Sequence, residues 1–487
     1  MMKNDRNQRD FVSLLKLFLM ILVCMFGFYG WKERVLYRQL EQKVLQEQQV
    51  SERSEKGQQT EEIVEIKTET TIEETGKSEE KGRKIRVLLT DIPSQGYEQE
   101  SVLVQAAGGL HITGAVEKES AAGEVVNVGE LLSEGQIRIS ACNEGDAIIV
   151  PSLQKNQEIP SYEGVLEVNK NDRGFYLINE VDLETYLKYV VPSEMPADYP
   201  LEALKAQAVC ARTYAVSQME EGRLEEYHAD VDDTVSFQVY NNISRQPVTD
   251  QAVEETRGKI MCCQGKPVQA YFFSTSCGYT STDEVWDAKE PASYLKSISV
   301  SAGAVEALAD GKTEEGFSEE AFREFITHVG ETDYEKEEPW YRWNVTFPVE
   351  QIQERVVSQY PEIGEIQEFS VKKRSDGGAV RELELVGTKG KKSLCNEYAI
   401  REFFSPEDIP IFRGDGTESR SMKILPSGYF VIDPVFSEGR LTGFLLTGGG
   451  YGHGVGMSQN GARHLGENGA GWEEILQIFY KDISLEG

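Results

Sequence analysis

The stretch VVPSEMPADYPLEALKAQAVCARTYAV, residues 190–216, decides how this chain is read. Pro200 suits the first position of a helix, where a missing N–H costs nothing. Asp198 just upstream is a reasonable cap, and Gly222 a plausible stop. Leu201, Leu204, Ala208, Ala211 and Ala215 recur at three- and four-residue spacing and make a narrow apolar face. The alanines let another backbone come close, so the pattern predicts a buried, central helix. Lys205 and Arg212 are seven residues apart and share one side of it. Gln207 and Tyr214 share an adjacent face.

Glu194 precedes this helix, in a bend beside Met195 and Pro196, with Tyr199 following. Two readings are open. A carboxylate ahead of a helix N-terminus is an ordinary dipole partner or cap. An acid in an apolar bend is also the setting that raises a carboxyl pKa toward general-acid use. Lys205 and Arg212 would oppose that rise if they came near.

Upstream, residues 85–182 alternate short β-rich runs with Gly, Asn and Asp clusters, a strand-and-turn pattern that starts at KIRVLL, residues 84–89. Downstream, KPVQAYFFSTS, YRWNVTF, RELELVG and GRLTGFLLTGG read as strands. Helices are expected near 318–328, 349–359 and 472–480. The whole implies an α+β domain over 84–487, with a β-rich part at 84–182 and a part of mixed strands and helices at 183–487.

The N-terminal segment is of another kind. Residues 11–31 form an apolar run interrupted only by Lys16, long enough to span a bilayer. It ends in Gly-Phe-Tyr-Gly-Trp-Lys, not in a small-residue cleavage site, so an uncleaved anchor is favoured over a signal peptide. Residues 1–10 would then be a short cytoplasmic tail, and the domain would lie outside the membrane. Residues 32–48 continue as a polar helical pattern. Residues 51–84 are rich in Glu, Thr and Lys without an aromatic residue, a composition that cannot bury enough apolar surface to order itself. Together 32–83 read as a stalk.

The 487 residues include 82 acidic and 50 basic side chains, a net charge of −32. That balance argues against gripping nucleic acid through bulk charge. Outside the apolar run there are six cysteines, with no C-x-x-C and no zinc-finger spacing. They read as scattered small apolar residues, with one or two disulfides open to an exported domain.

The C-terminal segment TGGGYGHGVGMSQNGA, residues 447–462, is the second unusual feature. It matches neither a phosphate-binding loop nor a dinucleotide fingerprint. His453, Ser458 and Gln459 suit a hydrogen-bonding wall for a polar ligand. A tight turn with His453 bonded to the backbone is the equal alternative. No third ligand accompanies His453 and His464, so no metal site is expected. Ser274, Thr275 and Ser276 could line the same cleft or form an ordinary turn.

These residues resemble a known family. INEVDLETYLKYVVPSEMPADYPLEALKAQAVCARTYAV, VTDQAVEETRGKIM, QAYFFSTSCGYTSTDEVW, YLKSISV, PWYRWNVTF and TGGGYGHGVGMSQNGA occur in the order found in the stage II sporulation protein D (SpoIID/LytB) family. The resemblance implies a membrane-anchored lytic transglycosylase that cleaves MurNAc–GlcNAc linkages of peptide-stripped peptidoglycan strands during sporulation and engulfment. It implies Glu194 as the catalytic acid. By position it also puts Lys205, Gln207, Arg212, Tyr214, Ser274, Ser276, Tyr279, His453 and Gln459 along the glycan groove. No cofactor is implied. The expected partners are glycan strands, the membrane, and a cell-wall amidase with other engulfment proteins. Branches of the family are non-enzymatic enhancers of such an amidase, which is the alternative function; a scaffold using its acidic stalk is a third reading. There are departures from the family pattern. Many relatives carry Cys or His in the segment aligned with residues 230–240, and some bind zinc nearby. Asp232, Ser236 and Phe237 stand there in this chain. Cys277 replaces a frequent Gly, and Asn460 a common aromatic.

Overall fold

The computed structural model describes residues 82–487, apart from 92–95, 133–134, 156–158, 242, 302–311 and 314–315. The apolar run at 11–31 and nearly all of the stalk lie outside these residues. Among the described residues no helix is long and apolar enough to cross a membrane. The architecture is mixed α+β, as the patterning implies.

The N-terminal part is a seven-stranded sheet. Its strands are β1 (Lys84–Leu88), β2 (Leu110–Gly114), β3 (Lys118–Glu119), β4 (Gln136–Ala141), β5 (Val165–Asn171), β6 (Gly174–Asp182) and β7 (Val231–Asp232), in the order β7-β1-β6-β5-β4-β2-β3. All pairings are antiparallel except β1 with β7. Alternation sets the faces: Ile85, Val87, Ile137, Ile139, Leu166, Val168, Leu177 and Val181 are buried in the core. On the other face Arg86 and Arg138 pair with Glu167 and Glu180 across the strands.

Two helices follow directly. α1 (Leu183–Glu194) is capped by Asp182, whose carboxylate accepts from the Glu184 and Thr185 N–H groups. Leu183, Tyr186, Leu187, Val190 and Val191 make its buried face. α2 (Leu201–Glu221) ends at Gly222 in the left-handed region, φ 66°, with its N–H bonded to the Gln218 carbonyl. Pro200 takes the cap position without a side-chain hydrogen bond, so Asp198 is not the cap. Ala203, Ala206, Ala208, Ala211 and Ala215 are fully buried. This small-residue surface lets α1, α3 (Pro247–Glu255) and the C-terminal helices pack against α2 from several sides.

Glu194 is therefore the last residue of α1, and the cap position of α2 falls to Pro200. The dipole-partner reading falls with that placement, because a helix C-terminus does not favour a carboxylate.

Beyond these come α4 (Glu319–Thr327), α5 (Val349–Gln359), α6 (Glu397–Phe403), two further sheets and a second core. Of these helices α4 packs on the first core, and α5 and α6 on the second, which is built from Trp343, Phe347, Phe404, Phe430 and Phe444. The expected strands at 381–387 and 439–449 are observed as Val380–Gly387 and Arg440–Gly448, and YRWNVTF as Trp343–Pro348. KPVQAYFFSTS shortens to Lys266–Pro267 and Phe272–Phe273. The second of these runs parallel to Met457–Ser458, in the register Phe272↔Met457 and Phe273↔Ser458. That pairing fastens the glycine-rich segment beside the Ser-Thr-Ser loop. α7 (Gln459–Glu467) and α8 (Trp472–Phe479) close the chain over α2.

No disulfide forms among the described residues: Cys142, Cys210, Cys262, Cys263, Cys277 and Cys395 all carry free thiols. Burial pushes the thiols of Cys210 and Cys277 up to about 12, as expected of inert core residues.

Candidate functional site

A cleft of about 600 Å³ opens between the C-terminal end of α1, the loop after β7, the 270–274 segment and the glycine-rich segment. Its walls are mainly aromatic, with Tyr199, Tyr214, Phe237, Tyr271, Phe273, Trp286 and Tyr451 among the lining residues. Among the described residues Glu194 is the only acid that lines it.

The loop after β7 presents one face of the site. Asp233 is fully engaged at its base by the Thr90 N–H and hydroxyl, at 3.0 and 2.6 Å, and by Lys155. Asp232 accepts from the Tyr97 hydroxyl at 2.8 Å. At the other end Tyr240 donates to Asn179 at 2.7 Å and packs between the rings of Tyr186 and Tyr189. With both ends fixed, the Val239 N–H donates to Glu194 Oε1 at 2.6 Å. Gln459 Nε2 donates to the Glu194 backbone carbonyl at 3.0 Å and lies 3.4 Å from Gln207 Oε1.

Burial among these walls pushes the Glu194 carboxyl up to about 7, against the smaller opposing effect of the Val239 N–H. No basic side chain contributes. Lys205 pairs with Glu202 and Glu255, each at 2.7 Å, and Arg212 with Glu184. A carboxyl with this pKa is divided between acid and base near neutral pH, which suits it to both halves of a proton-transfer reaction.

His453 stands opposite, within 5.0 Å of the Trp286 ring and 5.7 Å of Phe273. Burial lowers its pKa to about 3, so the imidazole is neutral at pH 7. The Val455 N–H donates to Nδ1 at 3.1 Å, which leaves the ring proton on Nε2. His453 thus bonds the backbone, as the turn reading expects, and also lines the cleft.

Of the residues expected along the groove, Tyr214, Ser274, His453 and Gln459 line the cleft with Glu194. Gln207 is fully buried behind Gln459. Lys205, Arg212, Ser276 and Tyr279 are not among the lining residues. Ser276 is buried and donates to Glu335 Oε1 at 2.6 Å. Tyr279 packs on Phe317 and Phe325. Arg212 is 1 % exposed and holds Glu184 through two bonds of 2.8 and 2.7 Å.

Sequence reasoning missed Glu335. Its buried carboxylate accepts from the Ser276 N–H and from the hydroxyls of Ser276 and Ser458, tying the two wall segments together. Burial pushes it up to about 7 as well, but it does not line the cleft. It sits in an acid-rich run, Glu335–Lys336–Glu337–Glu338, where nothing marks one carboxylate as internal. Among the described residues no group of His, Cys, Asp and Glu could hold a metal ion.

The glycine-rich backbone is exacting at Gly452. Its φ is +112°, and an added Cβ would lie 2.7 Å from Phe273 Cβ. Gly452→Ala is expected to cost roughly 1–3 kcal/mol in thermal unfolding and to displace Tyr451 and His453. Ligand binding should therefore fall more than stability alone explains, as measured by titration below the melting temperature.

Residues 171–262 match the family model described as SpoIID, stage II sporulation protein, and residues 280–456 match a domain of unknown function, DUF8618. The chain is 28% identical over 331 residues to stage II sporulation protein D of Bacillus amyloliquefaciens, covering 63% of this chain and 75% of that protein. It is 28% identical over 328 residues to the protein of the same name from Bacillus subtilis, with the same coverage. It is 27% identical over 309 residues to a protein of Bacillus subtilis named amidase enhancer, covering 61% of this chain and 40% of that protein. Glu194, both helices beside it and the loop after β7 all fall within 171–262, and in these residues the chain carries the SpoIID domain of the stage II sporulation protein family.

Proposed function

We propose that the protein is a lytic transglycosylase of peptidoglycan, cleaving MurNAc–GlcNAc linkages in peptide-stripped strands during sporulation and engulfment. The observation that carries this reading is Glu194: one acid, poised near neutrality, in an aromatic-lined cleft that offers no second carboxylate among the described residues. Aromatic walls suit the apolar faces of sugar rings. Hydrolytic glycosidases generally need two carboxyl groups flanking the bond. An intramolecular closure needs only one. Glu194 donates its proton to the glycosidic oxygen as the C1–O bond breaks. The muramic C6 hydroxyl then attacks C1, and its proton returns to Glu194. No water is consumed and the enzyme regains its starting state. Val239 and Gln459 hold the acid in position, and neutral His453 forms part of the opposite wall.

The apolar run at 11–31 supports a membrane anchor, with residues 1–10 cytoplasmic, 32–83 as a stalk and the domain outside the membrane. The similarity to a protein named amidase enhancer supports a second reading, in which the cleft binds glycan for a partner amidase without cutting it. Mass spectrometry of peptide-free strands incubated with the protein separates the two. Anhydro-muramic ends are the expected product. Reducing ends would indicate hydrolysis, and intact strands together with faster release of stem peptides from peptide-bearing peptidoglycan by an added amidase would establish the enhancer.

A further inference from the structure

Tyr451 is the one large aromatic of the cleft wall that remains 37 % exposed. One face of its ring stacks on Trp340, with centroids 5.0 Å apart and planes inclined by 26°. The Arg413 guanidinium lies over the same indole, 5.3 Å from its centroid, and makes no ion pair among the described residues. The Tyr451 hydroxyl has no hydrogen-bond partner among the described residues, so the polar end of the side chain does not explain its position. The backbone does. Tyr451 exchanges two hydrogen bonds with Thr275, at 3.1 and 2.8 Å, and the Gly450 N–H donates to the Trp340 carbonyl at 2.8 Å. Gly450 and Gly452 flank it in the left-handed region, at φ +85° and +112°. The fold thus fixes a large, amphipathic ring at the edge of the cleft, supported from behind by a second ring and with its other face open.

A ring that stays 37 % exposed gains less for stability than one fully buried. Stacked aromatics with an open face suit the C–H face of a pyranose, whose hydroxyls remain solvated around the rim. We infer that Tyr451, backed by Trp340, is an outer sugar-binding subsite that holds a pyranose of the strand away from the bond at Glu194. This inference rests on the reading of the cleft as a glycan site. It makes strand length a determinant of affinity.

The test measures binding of peptide-free peptidoglycan oligosaccharides, from two to eight sugars long, to the full chain carrying Glu194→Gln so that nothing is cleaved. Affinity should rise with length. Adding Tyr451→Ala should weaken the longest ligand by about 3- to 10-fold and leave the disaccharide unchanged. Tyr451→Phe should stay within about twofold of the parent, because the ring face and not the hydroxyl makes the contact. Tyr451→Leu keeps bulk at the position if Ala disturbs the loop, and should behave like Ala toward long ligands. Length-dependent binding that Tyr451→Ala and Tyr451→Leu leave intact would overturn the subsite while the cleft remains a glycan site. Absence of binding at every length in the parent would overturn both.

Discussion

Glu194→Gln is expected to slow strand cleavage by about a hundred-fold or more, the usual contribution of a positioned general acid and base. It should also stabilise the protein at alkaline pH. The glutamine keeps the shape of the side chain and can still accept from the Val239 N–H. What it removes is the charge. The ordinary carboxyl value is 4.5, and burial holds Glu194 at about 7. Between these values the unfolded chain has lost the proton and the folded chain keeps it. Stability from this group therefore falls as pH rises through that window, and above it the folded protein carries a poorly solvated charge. Glu194→Gln should consequently unfold at higher temperature than the wild type at pH 8, by a stability difference of order 1–3 kcal/mol. The difference should vanish near pH 4. Equal melting at pH 8 would mean that the carboxyl is better solvated than the cleft suggests.

Arg212→Ala should have the larger effect on folding, about 3–5 kcal/mol, because it strands the buried partner of a paired charge. Arg212 joins three helices. It holds Glu184 of α1 from α2 through two short bonds and donates to the Val253 and Lys259 carbonyls in and after α3. Glu184 also accepts from the Gly258 N–H at 3.2 Å. Since α1 ends at Glu194, loosening this joint should reduce activity too. Chemical denaturation separates this role from the sugar contact implied by the family resemblance. A groove ligand would lose glycan affinity at unchanged stability. A helix joint loses stability first, and recovers it when Arg212→Met is combined with Glu184→Leu, which replaces the ion pair by apolar packing. Unchanged stability in Arg212→Ala would return the residue to the groove.

The fate of Arg212 shows what the sequence could convey. Seven-residue spacing correctly put Lys205 and Arg212 on one side of α2. It could not say which neighbour that side meets. It meets α3, where Glu255 and the Val253 carbonyl wait, and not the bend at Glu194. The adjacent face, with Gln207 and Tyr214, is the one turned toward the site. The span of α2 and its stop at Gly222 were legible because apolar periodicity and a left-handed glycine are local properties. α1 was also encoded, with Asp182 as cap and apolar residues at three- and four-residue spacing. Pro192 and the paired valines masked its last turn, so Glu194 looked like part of a bend. The aromatic wall stayed hidden for another reason. Tyr271, Phe273 and Trp286 read as the apolar residues of a strand and its flank, and only the pairing of Phe272–Phe273 with Met457–Ser458 turns them into a cleft.

The pH dependence of kcat/KM for release of anhydro-muramic ends from peptide-free strands tests the central claim most directly, since it reports the titration of the free enzyme's acid. Wild-type protein should lose activity as pH rises through about 7, roughly tenfold per unit beyond it, and Glu194→Gln should show no such limb. Release of anhydro ends with a descending limb near the ordinary carboxyl value, or at the same rate by Glu194→Gln, would contradict it.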